Sequence, residues 1–190
     1  MAADETEARE RLRAFARVQV RSGFLDDVAV RAEVAEAARE DLSFGEAAVT
    51  VAAEVVGAEV ALLLDEQQDW PQTTDVDRLE AALAELETKG LVVLRACDDH
   101  WDATAALTRL DEAGESAPGV LFFTHTDVWH AVDHEMLELN LWHGDTANVA
   151  VGDDLLRTVL QTLGRHGLAA TFDEGRIETS LTWQRRRLDR

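Results

Sequence analysis

Five side chains of site-forming type fall close together, at His125, Asp127, His130, Asp133 and His134. His130 and His134 are spaced i and i+4, and Asp127 stands three residues before His130, so on a helix all three share one face. Two imidazoles and a carboxylate placed this way are a ligand set for a divalent metal, and a metal-dependent hydrolase could use them. They follow the apolar stretch GVLFFT at 119–124, and in open α/β sheets ligands bind just past the carboxyl ends of strands. Against this, Val128, Ala131 and Val132 form the opposite stripe and must be the buried one, which turns the histidines outward. The HxxxH spacing also lacks the glutamate of a metalloprotease helix. A solvent- or partner-facing histidine face is therefore expected ahead of a metal site. No cofactor is assigned: His125, Asp127, His130 and His134 form the candidate cluster, and a divalent metal is the group that Asp127, His130 and His134 of it could take.

Other constellations reduce to helix chemistry. Asp75, Asp77 and Arg78 could pair carboxylates with a guanidinium, but a helix start needs acids in its first turn. Asp98, Asp99, His100 and Asp102 could hold a cation, yet they read as an acidic loop. Gly152-Asp153-Asp154 is a helix start whose carboxylates would repel phosphate. The chain contains no G-x-S-x-G elbow, P-loop or dinucleotide fingerprint.

These residues sit in a chain of 190 residues with 38 acidic against 18 basic side chains, a net charge of −20, and Lys89 is its only lysine. Such a surface repels phosphate backbones, so nucleic acid is not an expected partner. The order helix, Gly90, strand also suits a winged helix-turn-helix with Arg78 as reader, but Glu80, Glu85 and Glu87 would face the phosphates. Arg185, Arg186, Arg187 and Arg190 are the one basic patch, expected to dock on the chain's own acidic surface or on that of a second subunit. No apolar run of transmembrane length and no leader pattern is read, so a cytoplasmic protein without a membrane partner is expected. The single cysteine, Cys97, excludes an internal disulfide and fits a small buried residue after a strand.

The elements that must position these groups change style near residue 70. Before it, apolar spacing predicts a helix through Leu12, Phe15, Ala16 and Gln19, a second from Asp26 or Asp27 to about Glu40, and a long third from about 46 to 68. Val51, Val55, Ala58 and Leu62 are expected to line one face of the third, widened by Val56 and Leu63, behind a Ser43/Glu46 capping box. Trp70-Pro71 then ends the helical text, because the proline ring clashes with a helical residue before it. Thr74 and Asp77 have capping-box spacing, Leu79, Leu83 and Leu86 recur on one face, and Lys89-Gly90 is a stop. Leu91 to Leu94 reads as a strand covered on both faces. Beyond it, a helix at 100–113, the strand 119–124, a helix at 125–135, the alternating strand 136–143 and a helix near 150–166 follow. A hairpin around residues 173–176 closes the series.

The predicted fold class is α+β with α/β-like order: amino-terminal helices, then a mixed sheet of about five strands, β-α-β-α-β-α-β-β, covered by helices. Residues 1–69 form the helical region and 70–190 the α/β domain, packed as one globular unit. The helices are expected either to cover a face of the sheet or to form a small bundle.

WPQTTDVDRLEAALAELETKGLVVL, GVLFFTHTDVWHAV and the closing TWQRRR together resemble an actinobacterial domain-of-unknown-function family. Its marks are a WPxxTDxDRL motif, here Trp70, Pro71, Asp75, Asp77 and Arg78, and a phenylalanine-rich strand followed by an aspartate, here Asp127. The likeness covers roughly residues 60–187. The family places a histidine straight after the strand's aromatics, where this chain has Thr124, with His125 one position later. The resemblance implies fold and lineage and carries no reaction. The leading expectation is an interaction or regulatory domain with an acidic surface and protein partners, able to self-associate. A metal-dependent hydrolase and an acidic protein that sequesters a basic partner are the alternatives.

Overall fold

The computed structural model describes residues 2–40 and 44–187, with the side chains of residues 2–5 left aside. Ser43 of the expected capping box and Arg190 of the basic patch lie outside the described residues. The chain divides into two compact units, one of Met1–Gln72 with Gln184–Arg190, the other of Thr73–Trp183.

The first unit is helical: α1 (Ala2–Ser22), α2 (Asp27–Glu40) and, after a single 3-10 turn at Gly45–Ala47, α3 (Ala48–Glu66). Helix α1 starts well before Leu12, the first apolar residue of the expected stripe. Asp26 caps α2, its Oδ1 accepting from the Ala29 amide at 2.8 Å. The core of this unit is built of small side chains. Leu12, Ala16 and Val20 of α1 meet Val30, Val34 and Ala38 of α2 and Val51, Ala52, Val55 and Val56 of α3. Small residues let helix axes approach closely, so modest side chains fill the interior at ordinary packing density.

Two expectations for α3 fail. Leu62 is 52% exposed and Ala58 is exposed, while Val51, Val55, Val56 and Leu63 of the expected face are buried together with Ala48 and Ala52. The helix with its leading turn, Gly45–Glu66, also has the length and composition of a membrane span, where no apolar run of that length was expected. Glu54 and Glu59 interrupt the run in the sequence, but alanine and valine keep the rest apolar. A third of the apolar window is buried within the protein.

The second unit contains α4 (Asp75–Thr88), β1 (Val92–Cys97), α5 (His100–Glu112), β2 (Gly119–Thr124), α6 (His125–His134), β3 (Met136–His143), α7 (Asp154–Arg165), β4 (Ala169–Asp173) and β5 (Arg176–Ser180). This α+β arrangement has the predicted order. The sheet runs β1-β2-β3-β5-β4; only β1 and β2 are parallel, and the β4–β5 hairpin forms one edge. Alternation along β3 buries Leu137, Leu139 and Leu141 and leaves Glu138, Asn140 and Trp142 half-exposed, as a sheet with one wet face requires. Val120 and Phe122 pack on Ala103 and Leu107 of α5. Leu121 and Phe123, equally buried, point to the other face, as strand geometry demands.

Strand β1 departs from expectation. Five of its six residues, Val92 to Arg95 and Cys97, are half-buried, because β1 is the other edge of the sheet and helices cannot close over an edge as over a central strand. Its pairing with β2 slips between Leu94 and Cys97, where Ala96 takes a left-handed φ of 49°. A bulge of this kind re-aims the residues beyond it.

Helix α4 follows its sequence closely. Thr74 and Asp77 form a reciprocal capping box. At the other end Gly90, at φ +88°, lets the Leu91 amide turn back to the Leu86 carbonyl at 3.2 Å, a left-handed helix stop.

Candidate functional site

The carboxyl ends of the parallel strands β1 and β2 bring together Cys97, paired in register with Thr124, and the first turns of α5 and α6. This is where Asp98, Asp99, Asp102, His125 and Asp127 gather, yet the carboxylates are largely spent on local backbone. Asp99 Oδ1 accepts from the Trp101 amide at 2.7 Å and Asp102 Oδ2 from the Asp98 amide at 2.9 Å. Asp127 Oδ2 accepts from the Thr124 amide at 2.7 Å and the Thr124 hydroxyl at 2.8 Å, while Thr124 Oγ1 accepts from the Asp127 amide. Thr124 and Asp127 thus repeat at α6 the capping box that Thr74 and Asp77 make at α4. Both acids sit in the positive first turn of their helices, where a carboxylate is stabilised.

The histidines go where the apolar stripe sends them. Val128 and Ala131 are fully buried, and His130 and His134 are exposed, their rings tilted with centroids 4.5 Å apart. His125 is half-buried, its Nε2 4.0 Å from Asp98 Oδ1. Asp127 therefore faces its own helix start, while the two histidines form an outward pair. Among the described residues no group of three or more histidine, cysteine, aspartate or glutamate side chains could hold a metal ion. Burial, with Asp102 as the next cause, pushes the Cys97 thiol up to about 11, so it stays protonated near neutrality and is a poor nucleophile.

A second polar cluster joins α4 to α7. Glu85 accepts from Lys89 Nζ at 2.8 Å and from His166 Nε2 at 2.9 Å, and pairs with Arg165. Lys89 foremost, then His166 and Arg165, hold the Glu85 carboxyl down at about 2. Lys89 and Arg165 both also reach the hydroxyl of Thr162. Three residues thus clamp one carboxylate on the surface of the sheet unit. Asp153 acts alike at the start of α7, its carboxyl lowered first by the Ala150 amide and then by His143, which it meets at 2.9 Å.

The tryptophan-proline motif is split between the two units. Asp75 lies in the second, where Oδ1 pairs with Arg78 at 2.6 Å and Oδ2 accepts from the Thr182 amide at 3.1 Å. Trp70 and Pro71 lie in the first, where their carbonyls accept from the Arg186 guanidinium. The basic tail is thus placed on its own chain. Arg185 lies over Phe24 with 4.2 Å from the guanidinium carbon to the ring centroid, and Arg187 pairs with Asp27. Gln67 and Phe24 carry no signal of this in the sequence, where Asp27 reads only as a candidate helix start. The tail's charge was a signal for the docking, but a lone glutamine more than a hundred residues away carries none.

A family model described as a domain of unknown function, DUF6891, matches residues 5–187. The chain belongs to this family, and the match takes in the amino-terminal helices as well as the tail through Arg187. No curated protein and no solved structure matches the chain.

Proposed function

We propose that this family member is an interaction or regulatory domain, working through its acidic surface on protein partners in the cytoplasm, and not an enzyme. The observation that supports it most is how the carboxylates at the strand ends are used. Asp99, Asp102 and Asp127 each hold a backbone amide of their own helix start, so they are committed to structure, where a general acid, base or metal ligand must be free to meet substrate. A net charge of −20 then steers basic protein surfaces towards the chain and disfavours anionic ones. Self-association is a secondary expectation, against which the same charge works.

Two measurements test this reading. Hydrolase screening of the whole protein with added zinc or manganese should give no turnover that depends on the histidine segment. A turnover abolished by His130→Ala or Asp127→Ala overturns the proposal and restores the metal-hydrolase reading. Elemental analysis of protein purified without an affinity tag adds a second arm, since stoichiometric zinc, manganese or iron would have the same effect.

A further inference from the structure

The contacts of residues 184–187 within the helical unit form a binding site whose occupant happens to be covalently attached. The segment runs without helix or strand, and successive residues are held by different chemistry. Gln67 clamps the backbone of Arg187 from both sides: its Oε1 accepts from the Arg187 amide at 3.1 Å and its Nε2 donates to the Arg187 carbonyl at 3.2 Å. A side-chain amide used this way imitates a β-ladder partner, and so holds an extended peptide whatever its side chain.

The side chains are read as arginines. Arg186 donates to the carbonyls of Gln67 at 3.3 Å, Trp70 at 3.5 Å and Pro71, and its guanidinium carbon lies 5.9 Å from the Trp70 ring centroid. A planar guanidinium with five donors satisfies such a carbonyl set, whereas a lysine ammonium presents no fork. The Arg187 guanidinium pairs with Asp27 and keeps only 23% of its side chain exposed. Arg185 stacks on Phe24, and its stem runs so close to Gly23 that a Cβ there would stand 2.8 Å from Cδ. Gly23, at φ +71°, therefore keeps the floor low enough for the stem to pass. Beside the segment the groove leaves about 1000 Å³ open, lined in part by Val20, Leu25, Val28, Val60 and Leu64.

We propose that this groove is a recognition site for an extended arginine-rich segment of a basic partner protein, and that Gln184–Arg187 is a resident stand-in which the partner displaces. The inference rests on the interaction reading above and names its partner class. Charge selects a basic protein over a second copy of the chain, since two copies bring −20 each and repel before they dock. The attached segment competes intramolecularly for the groove, so the free site is unmasked only when the segment is weakened.

The test is fluorescence anisotropy of a labelled TWQRRR peptide titrated with the full chain, wild type against the variant Arg185→Ser, Arg186→Ser, Arg187→Ser. The expected result is at least about tenfold tighter binding by the variant, as relief of an intramolecular competitor predicts. Adding Gln67→Ala to the variant should lower its affinity by about tenfold, and a peptide with glutamates for arginines should not bind. Equal binding by wild type and variant overturns the proposal, and so does binding indifferent to Gln67→Ala, which would be attraction to general acidity. Should the triple variant fail to fold, Arg186→Lys keeps the charge and removes the fork; absence of a gain over wild type in that variant overturns the proposal equally. A wild type that sediments as a dimer and a variant that sediments as a monomer would give the groove to a second copy, and this too overturns it. Failure here without any histidine-dependent turnover sinks the groove alone, whereas such turnover sinks the interaction reading even if the peptide binds.

Discussion

The segment His125–His134 and the groove around Gln67 hold similar numbers of polar groups and use them in opposite ways. In the first, Asp127 turns back on Thr124, and His130 and His134 face solvent beside each other. In the second, Asp27, Gln67 and the Trp70 and Pro71 carbonyls all converge on residues more than a hundred positions along the chain. The lesson is that site-forming residue types mark a place in the sequence, but recognition requires their polar atoms to point at something other than their own helix.

Substitutions can break this contrast, and the largest effect is expected at Gly23. Gly23→Ala asks a Cβ to adopt a left-handed φ and to push aside the Arg185 stem, for about 2 kcal/mol of lost stability by denaturant unfolding; a loss below about 0.5 kcal/mol would mean the segment is not closely seated. Thr124→Ala should cost about 1 kcal/mol, with Thr74→Ala matching or exceeding it, because each removes the oxygen that caps a helix. If Thr124→Ala were neutral, Asp127 would be freed for the role that capping denies it. Gln67→Ala should remove about 1 kcal/mol, two modest hydrogen bonds, visible in the same unfolding curves. His130→Ala and His134→Ala should stay within about 0.5 kcal/mol, as exposed side chains do, and a larger loss at either would erase the distinction between the two regions.

A last comparison is confined to acid. The Glu85 carboxyl, held at about 2 in the folded protein by Lys89, His166 and Arg165, ionises near 4.3 when unfolded. Its depressed value stabilises the fold above the unfolded pKa, and that contribution fades as pH falls from about 4.5 towards 2. Glu85→Gln should flatten this part of the stability profile, and a thermal-melt series across that range in both proteins checks it.

Much of the fold was legible because local rules were not contested. The Thr74/Asp77 box, the Lys89-Gly90 stop, GVLFFT and the alternation of Met136–His143 each appear in the structure as strand or helix grammar predicts. What stayed hidden depends on neighbours. Leu91 to Leu94 looks like a central strand because its residues are apolar, but its place at the sheet edge follows from the order β1-β2-β3-β5-β4, which no local pattern encodes. In α3 the buried stripe takes Val51, Val55, Val56 and Leu63 as expected but leaves out Ala58 and Leu62, since alanine and valine are too common along the helix for periodicity to set its edge. The outward turn of His130 and His134 was readable from Val128 and Ala131. The capping use of Asp127 has a local signal as well, since Thr124 stands before Asp127 at the spacing of Thr74 before Asp77. Gln67 is the clearest loss, because a neutral amide has no pattern until its partner arrives.

The helical unit begins at one end of the chain and receives Gln184–Arg187 from the other, with the whole of residues 73–183 between them. During synthesis, at about 5–20 residues per second, the helices therefore leave the ribosome on the order of ten seconds before the segment that lies in their groove. For that interval Gln67, Asp27 and Phe24 have no resident arginines to hold. During synthesis an outside arginine-rich peptide would therefore meet this surface without an internal rival, and the order of translation sets who arrives first.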